Sequence, residues 1–126
     1  MSLDGCIVTA DALHCRADTA SAILKTGADY ALALKGNQPG LLNRAIALLE
    51  KESNPDRAEK ADGKAHDRTE TRRAVIVKAE GMDFPGVKAI ARLESIRVEP
   101  DGRQTRHIRH FLLSRSVSAT AFLDIA

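Results

Sequence analysis

"DYALALK", residues 29–35, is the stretch that decides the fold, because its apolar residues fall on both faces of an extended chain. A strand buried on both faces is typical of a parallel sheet covered by helices. Residues 5–10, "GCIVTA", have the apolar centre of an earlier strand. Between the two strands we expect a helix with Asp18 as its N-cap and Gly27 just beyond its last turn. The pattern therefore predicts two parallel strands joined by a right-handed helical crossover.

Residues 36–40, "GNQPG", end the second strand and begin a second helix. Pro39 suits the first turn of a helix, where its missing N–H costs no hydrogen bond. The apolar residues that follow recur at helical spacing and predict one buried stripe: Leu41, Leu42, Ala45, Ile46 and Leu49. Residues 1–53 are therefore expected to fold as β-α-β-α.

The chain changes character after residue 53. Residues 54–68 are polar and without an apolar period, so we predict an exposed loop there. Residues 69–116 contain strand-like runs at 70–79, 87–98 and 104–113. The turn residues 99–103, which include Gly102, predict an antiparallel hairpin between the last two runs. Residues 117–126 are expected to begin a short helix near Ser118. The predicted fold class is α/β, with a partial core of parallel strands followed by an antiparallel β-rich insertion.

The amino-acid composition favours some classes of protein and argues against others. A chain of 126 residues with 44% hydrophobic and 29% charged residues is an ordinary globular domain rather than a disordered segment. It has no apolar run of membrane-spanning length and no signal pattern, so we expect a cytoplasmic protein without a membrane partner. Cys6 and Cys15 are expected to be free thiols. Aromatic residues make up only 3%, which argues against a reader of single strands, since such proteins stack bases on aromatic rings.

The small net charge of +2 hides an asymmetry along the chain. Residues 1–56 hold five Lys and Arg against seven Asp and Glu, a net charge of −2. Residues 57–126 hold fourteen Lys and Arg against ten Asp and Glu, a net charge of +4. This excess fits phosphate contact, and a solvated charged surface gives the same count, so both interpretations stay open.

Asp11 stands where the apolar run of the first strand stops. In open α/β sheets, ligands collect beyond the carboxyl ends of the strands. Lys35, Asn37 and Gln38 leave the second predicted strand at the same edge. On the functional interpretation, Asp11 is a metal-ligating carboxylate with these three side chains nearby. The alternative is that Asp11 caps a turn or the next helix, or simply meets solvent.

Two stretches resemble the ISAs1 family of bacterial transposases, also called H-repeat-associated proteins. They are "GCIVTADALHCRADTASAILKTGADYALALKGNQPGLLNRAIALL", residues 5–49, and "HDRTETRRAVIV", residues 66–77. The most specific piece is "ALKGNQP", residues 33–39. The chain departs from the family at Asp67, where Gly is usual, and at Ala10, where a larger apolar residue is common.

The resemblance implies a DDE recombinase with a ribonuclease-H-like core. In that family two Asp and one Glu hold a pair of divalent ions, Mg²⁺ or Mn²⁺, which cut DNA and join its 3′ end to a target. Asp11 corresponds to the second of these acids and is therefore the predicted catalytic and metal-ligating residue. Carboxylate oxygens suit hard cations that work in pairs about 4 Å apart.

The other two acids of the family pattern would lie outside this chain, one upstream and one downstream. We therefore expect an internal fragment of a transposase catalytic domain. One acid cannot hold two ions, so the isolated fragment is predicted to bind no metal and to leave DNA uncut.

The resemblance also names a partner, double-stranded DNA of the transposon ends and the target. The predicted DNA-binding residues are Lys35, Asn37, Gln38, Arg68, Arg72 and Arg73, and Arg103, Arg106 and Arg109 are further arginines that could join the same DNA-facing surface. Turn and cap chemistry is the alternative for the two amides, and the solvated face of an antiparallel sheet is the alternative for the arginines. Exposed strand edges also make a homo-oligomer an open expectation.

Two other function classes compete with the transposase fragment. One is a non-catalytic DNA-binding or regulatory module derived from a transposase. The other is an unrelated small α/β domain of flavodoxin-like or receiver-like type, which the hairpin-rich second half disfavours.

Overall fold

The computed structural model describes residues 7–10, 16–35, 39–65 and 68–125. Within these ranges the chain forms six strands and three helices. In chain order they are β1 (Ile7–Ala10), α1 (Ala17–Lys25), β2 (Asp29–Leu34), α2 (Pro39–Lys51), β3 (Asp56–Ala65), β4 (Arg68–Lys78), β5 (Ala89–Val98), β6 (Gln104–Leu113) and α3 (Ala119–Ile125). No helix within the described ranges is both long enough and apolar enough to cross a membrane.

All six strands belong to one mixed sheet in the order β1-β2-β6-β5-β4-β3. Strands β1 and β2 are parallel, as the sequence predicted, with Ile7 opposite Asp29 and Ala10 opposite Leu32. Every other neighbouring pair is antiparallel. The sheet is therefore mostly antiparallel, and the strands of the β-rich half continue the sheet that the parallel pair begins. A ribonuclease-H-like core stays a prediction.

Strand β2 is buried on both faces, which confirms the interpretation of "DYALALK". Tyr30, Leu32 and Leu34 join a core cluster with side chains of α1 and α2, whereas Ala31 and Ala33 join a second cluster with side chains of α3. Helices α1 and α2 thus lie on one face of the sheet and α3 on the other. We call these the α1–α2 face and the α3 face.

The predicted capping of α1 is correct at one end and wrong at the other. The helix begins at Ala17, with Arg16 rather than Asp18 in the N-cap position. Asp18 lies in the first turn, where its negative charge still interacts favourably with the helix dipole. At the other end Gly27 has a φ of 86°, and its N–H donates to the carbonyl of Leu24 at 3.1 Å. A glycine is favoured there because other residues rarely adopt a positive φ.

The predicted exposed loop at residues 54–68 is wrong, because residues 56–65 form the edge strand β3. Eight of its residues pair with β4, with a register shift between Asp62 and Ala65, so the backbone ladder holds the strand in place without apolar alternation. Its described side chains are mostly exposed, and Ala58 is the apolar one that packs against the α3-face cluster. Charged residues on such an edge discourage pairing with other chains.

The other elements of the second half follow the sequence. Strands β5 and β6 form the predicted antiparallel hairpin, and Gly102 in its turn has a φ of 90°. The run at 70–79 joins the hairpin as β4, and the helix expected near Ser118 is α3. In α2 the predicted stripe also faces the core, with Ala45 and Leu49 buried.

A buried polar junction fixes β2 against β6. The N–H of Tyr30 donates to Ser114 Oγ at 2.8 Å, and the Ser114 hydroxyl donates to Asp29 Oδ1 at 2.9 Å. The phenol of Tyr30 donates to the carbonyl of Pro85 at 2.6 Å, and its ring meets Phe84 edge-on at 5.9 Å. Because buried polar groups are costly unless they are paired, this junction favours one register of β6 on β2.

Candidate functional site

Strand β2 ends halfway along its neighbours, and this sets the geometry of the candidate site. Leu34, its last residue, pairs with His110, whereas β6 begins six residues earlier, at Gln104. Strands β3 to β6 therefore extend past the carboxyl end of the parallel pair. Lys35 follows β2 at this edge and is exposed.

Three of the predicted site residues, Asp11, Asn37 and Gln38, lie outside the described residues. What the structure does establish is the position of the strand that leads to Asp11. Strand β1 ends at Ala10, which pairs with Leu32 in parallel register. The carboxyl ends of β1 and β2 are thus at the same edge of the sheet, as the prediction required.

The extended strands carry two rows of mostly charged side chains on the α1–α2 face. One row across the strands consists of Arg57, Val75, Arg92 and His110, which pair in register. Two residues further from the core, the next row consists of Glu59, Arg73, Glu94 and Ile108. Val75 belongs to the core cluster beneath α1 and α2, which identifies the face.

These rows enclose a shallow concavity of about 490 Å³. One arginine comes from each of four neighbouring strands, and Glu94 lies among them. We call this surface the arginine groove and define it by Arg57, Arg73, Arg92, Glu94 and Arg106.

Glu94 is the centre of the ion pairs in the arginine groove. It is only 8% exposed, yet it accepts from Arg73 Nη1 at 3.4 Å and pairs with Arg106 Nη2. Arg73 Nε also donates to Glu59 Oε1 at 2.9 Å. The hydrogen bond that Arg73 donates to Glu59, followed by the negative charge of Glu59, raises the pKa of Arg73 above its ordinary value. Arg73 and Arg106 are thus held in place by carboxylates from two strands.

His110 lies at the end of the first row, and its pKa is shifted there. Burial, and then the positive charge of Arg92, lower the pKa of His110 below its ordinary value. Burial and the neighbouring guanidinium therefore both favour the neutral form of the imidazole.

The predicted DNA-binding arginines do not converge on one surface. Arg72 and Arg73 are adjacent in β4, and successive side chains of a strand point to opposite faces. Arg72 accordingly lies on the α3 face, where it donates to the carbonyl of Leu123 at 3.4 Å. Arg68 begins β4, at the far end of that strand from its core residues. Of the arginines that the sequence offered, Arg73 and Arg106 belong to the arginine groove.

Sequence reasoning did not single out Arg57, Arg92 or Glu94. Arg92 and Glu94 alternate with apolar residues in "AIARLES", residues 89–95, and that alternation was the available signal. Arg57 gave none, because it lay in the stretch predicted as a loop. Recognising the three as one group requires the strand order, which local patterns do not contain.

The described residues do not complete a metal site. No group of three or more His, Cys, Asp or Glu side chains comes together among residues 7–10, 16–35, 39–65 and 68–125. At the edge where β1 and β2 end, Lys35 provides a positively charged side chain rather than an oxygen ligand. A pair of hard cations takes more oxygen ligands than the one carboxylate of Asp11 supplies. Further ligands would have to come from outside the described residues.

Comparison with known proteins identifies relatives over nearly the whole chain. The chain is 32% identical over 135 residues to "H repeat-associated putative transposase YhhI" of Escherichia coli (strain K12), covering 97% of this chain and 35% of that protein. It is 39% identical over 90 residues to "H repeat-associated putative transposase YbfD" of the same organism, covering 67% of this chain and 35% of that protein. It is also 33% identical over 121 residues to "Uncharacterized protein in dhlA 3′region" of Xanthobacter autotrophicus, covering 90% of this chain and 41% of that protein.

The chain therefore spans between 35% and 41% of the length of these relatives. No family model matches the chain, and no solved structure matches it. The H-repeat-associated resemblance is confirmed by the two named relatives, whereas the assignment to ISAs1 stays a prediction.

Proposed function

We propose that this chain, which is homologous to the H repeat-associated proteins, forms part of the catalytic domain of a DDE transposase. The observation that carries the proposal is the similarity over 97% of the chain to a protein named as a transposase. The parallel pair β1–β2 supports it, because Asp11 follows β1 at the edge where β2 also ends. In such a domain, divalent metal ions activate the attacking hydroxyl and stabilise the leaving oxygen during phosphoryl transfer.

In this proposal Asp11 is the catalytic residue and provides a carboxylate ligand directly after β1 in the sequence. A strand in a packed sheet holds its end in place better than a loop does, and metal geometry requires that accuracy. The other acids come from parts of the catalytic domain outside this chain. The isolated chain accordingly neither retains Mg²⁺ or Mn²⁺ nor cuts DNA.

The partner in this proposal is double-stranded DNA, at the transposon ends and at the target. Lys35 is exposed beside the end of β2, in reach of a backbone that passes over this edge, and Asn37 and Gln38 follow it in the sequence. Arg73 and Arg68 contribute positive charge from β4. Arg72 was also predicted to contact DNA, but its bond to the carbonyl of Leu123 directs it toward α3. The excess of +4 in residues 57–126 favours a polyanionic partner.

The experiment that tests the proposal replaces the carboxylate at position 11. In a complete catalytic domain that carries this segment, we expect Asp11→Asn to lower transposition by at least about 10²-fold, since a lost metal ligand removes several kcal/mol of transition-state stabilisation. Binding to the transposon end should change little. The matched control is Asp18→Asn, an exposed carboxylate in the first turn of α1, which should transpose normally.

The same substrate offered to the 126-residue chain with Mn²⁺ should stay uncut. Transposition that survives Asp11→Asn would overturn the metal-ligand role and favour a non-catalytic DNA-binding module. Cleavage by the isolated chain that depends on Asp11 would overturn the need for acids from elsewhere.

A further inference from the structure

The arginine groove has the spacing of a surface that follows an extended anion. Neighbouring strands lie about 4.8 Å apart, so Arg57 and Arg92, two strands apart in one row, are separated by about 10 Å at their backbones. A DNA strand carries one charge per about 3.4 Å of helix axis, so a row of this length can meet more than one phosphate. A pocket for a single small anion would instead bring its cations together around one point.

The groove contains two kinds of arginine. Arg73 and Arg106 are paired with Glu94 beneath them, yet their side chains remain 54% and 60% exposed. Arg57 and Arg92 form no ion pair or hydrogen bond within the described part of the chain. The groove therefore offers two guanidiniums that have no ion-pair or hydrogen-bond partner among the described residues, beside two that are fixed and still accessible. Arginine is suited to phosphate because its planar fork donates two parallel hydrogen bonds.

The net charge of the surface is positive. Four arginines stand against two carboxylates, Glu59 and Glu94. The positive charge of Arg92 also contributes, after burial, to the lowered pKa of His110, because it disfavours a second cation beside it.

The groove also lies near the edge of the sheet at which β1 and β2 end. Its first row ends at His110, which pairs with Leu34 at the end of β2, and exposed Lys35 follows directly. An anion lying over Lys35 can continue across the groove without leaving the edge at which Asp11 follows β1. On the opposite face, α3 packs against β3 and β4, and Arg72 donates to the carbonyl of Leu123.

We propose that the arginine groove binds the backbone of double-stranded DNA, with Arg57 and Arg92 as the phosphate contacts. Glu94 is the positioning residue that holds Arg73 and Arg106 in the groove. The inference rests on the proposed function for the identity of the polyanion, and it goes further in assigning the surface and its face of the sheet.

The test measures DNA affinity of the 126-residue chain and its variants. Fluorescence anisotropy with a labelled duplex of mixed sequence is recorded over a series of salt concentrations. Arg57→Gln combined with Arg92→Gln should weaken binding by about tenfold or more, and the slope of log affinity against log salt should fall by about 2, one unit per lost phosphate contact.

The matched control removes the same charge from the α3 face of the same sheet. Arg97→Gln combined with Arg109→Gln replaces two exposed arginines of β5 and β6. Their neighbours in register, Glu70 and Leu93, place both on the α3 face. This variant should lose less than about threefold in affinity. Thermal melting of all variants checks that each is folded.

A third variant changes the affinity in the other direction. Glu59→Gln releases Arg73 from one carboxylate and should tighten DNA binding by about twofold, with a steeper salt slope. Equal losses in the groove and control variants would overturn the assignment, as would a wild-type chain that fails to bind DNA at low salt. Preference for an RNA duplex of the same length would also overturn it.

The result separates this inference from the proposed function. If the groove variants bind DNA like the wild type while Asp11→Asn still abolishes transposition, the groove assignment is wrong and the transposase function stands. If the groove variants lose DNA binding while Asp11→Asn transposes normally, the groove is correct and the catalytic role is wrong.

Discussion

Glu94 shows how a charge is accommodated at a nearly buried position. A carboxylate that is only 8% exposed is costly unless it is well paired, and removing one partner of such a pair leaves the other uncompensated. Arg73 and Arg106 approach it from the two neighbouring strands, so the sheet itself provides the compensation. The ion pairs with these two arginines offset the cost of the buried charge. In turn, Glu94 holds two cations at an accessible surface.

His110 allows a prediction about stability and pH. Burial and Arg92 lower its pKa in the folded chain, whereas the unfolded chain has an ordinary value of about 6.5. Below about pH 6.5 the unfolded state therefore binds a proton that the folded state does not, and stability decreases as the pH falls toward the folded pKa. Urea unfolding between pH 7 and pH 5 should show this loss, with a slope of up to about 1.4 kcal/mol per pH unit from this one group.

The difference between variants isolates the contribution of His110 from that of the carboxylates. His110→Gln should flatten the pH dependence, and Arg92→Gln should flatten it in part. His107→Gln, at an exposed position of the same strand, is the control and should keep the slope of the wild type. A slope that His110→Gln leaves unchanged would contradict the neutral imidazole.

Helix α3 packs over the edge strand β3 and its neighbour β4 and adds to the backbone ladder that holds β3. A seven-residue helix is too short to be stable by itself, so its stability must come from packing. Two side chains cap the first turn of α3, one from β3 and one from the residue before the helix. The Ala119 N–H donates to Asp56 Oδ2 at 2.8 Å, and the Ala121 N–H donates to Ser118 Oγ at 3.0 Å. Phe122 is fully buried and meets Phe111 edge-on at 5.2 Å.

Truncation of Phe122 should therefore loosen β3 as well as α3. We expect Phe122→Ala to lower the free energy of unfolding by about 3–5 kcal/mol, the usual cost of removing a buried phenyl ring. Amide hydrogen exchange should accelerate in β3 more than in β5. Thr120→Ala, at an exposed position of the same helix, should stay within about 0.5 kcal/mol of the wild type. Equal acceleration in β3 and β5 would show that α3 does not anchor the edge strand.

Elements with a local signal were predictable, and β3 was not. The double-faced apolar run of β2, the glycine that ends α1 and the turn around Gly102 each encode their structure in adjacent residues. Strand β3 is polar along its described length because its edge position leaves it largely in water. Among the described residues, its support is a backbone ladder to β4 and the packing of α3, and neither produces a periodic pattern.

At the scale of the whole molecule, the parallel pair was predictable and the sheet order was not. Strand β6 lies between β2 and β5, so residues about 80 positions apart are neighbours in the sheet. That order creates the arginine groove, because it places β3 to β6 beside the end of β2. The candidate residues Asp11 and Lys35 followed from local pattern and resemblance, whereas Arg57, Arg92 and Glu94 became a group only through the strand order.

The central claim is that Asp11 contributes to a divalent-cation site at the edge where β1 and β2 end. The most direct measurement replaces Mg²⁺ by Fe²⁺ in a complete catalytic domain that carries this segment and maps where hydroxyl radicals cut the polypeptide. The account predicts cuts next to residue 11 and next to residue 35, suppressed by excess Mg²⁺ and lost in Asp11→Asn but not in Asp18→Asn. Cuts that lie away from this edge, or that persist unchanged in Asp11→Asn, would contradict it.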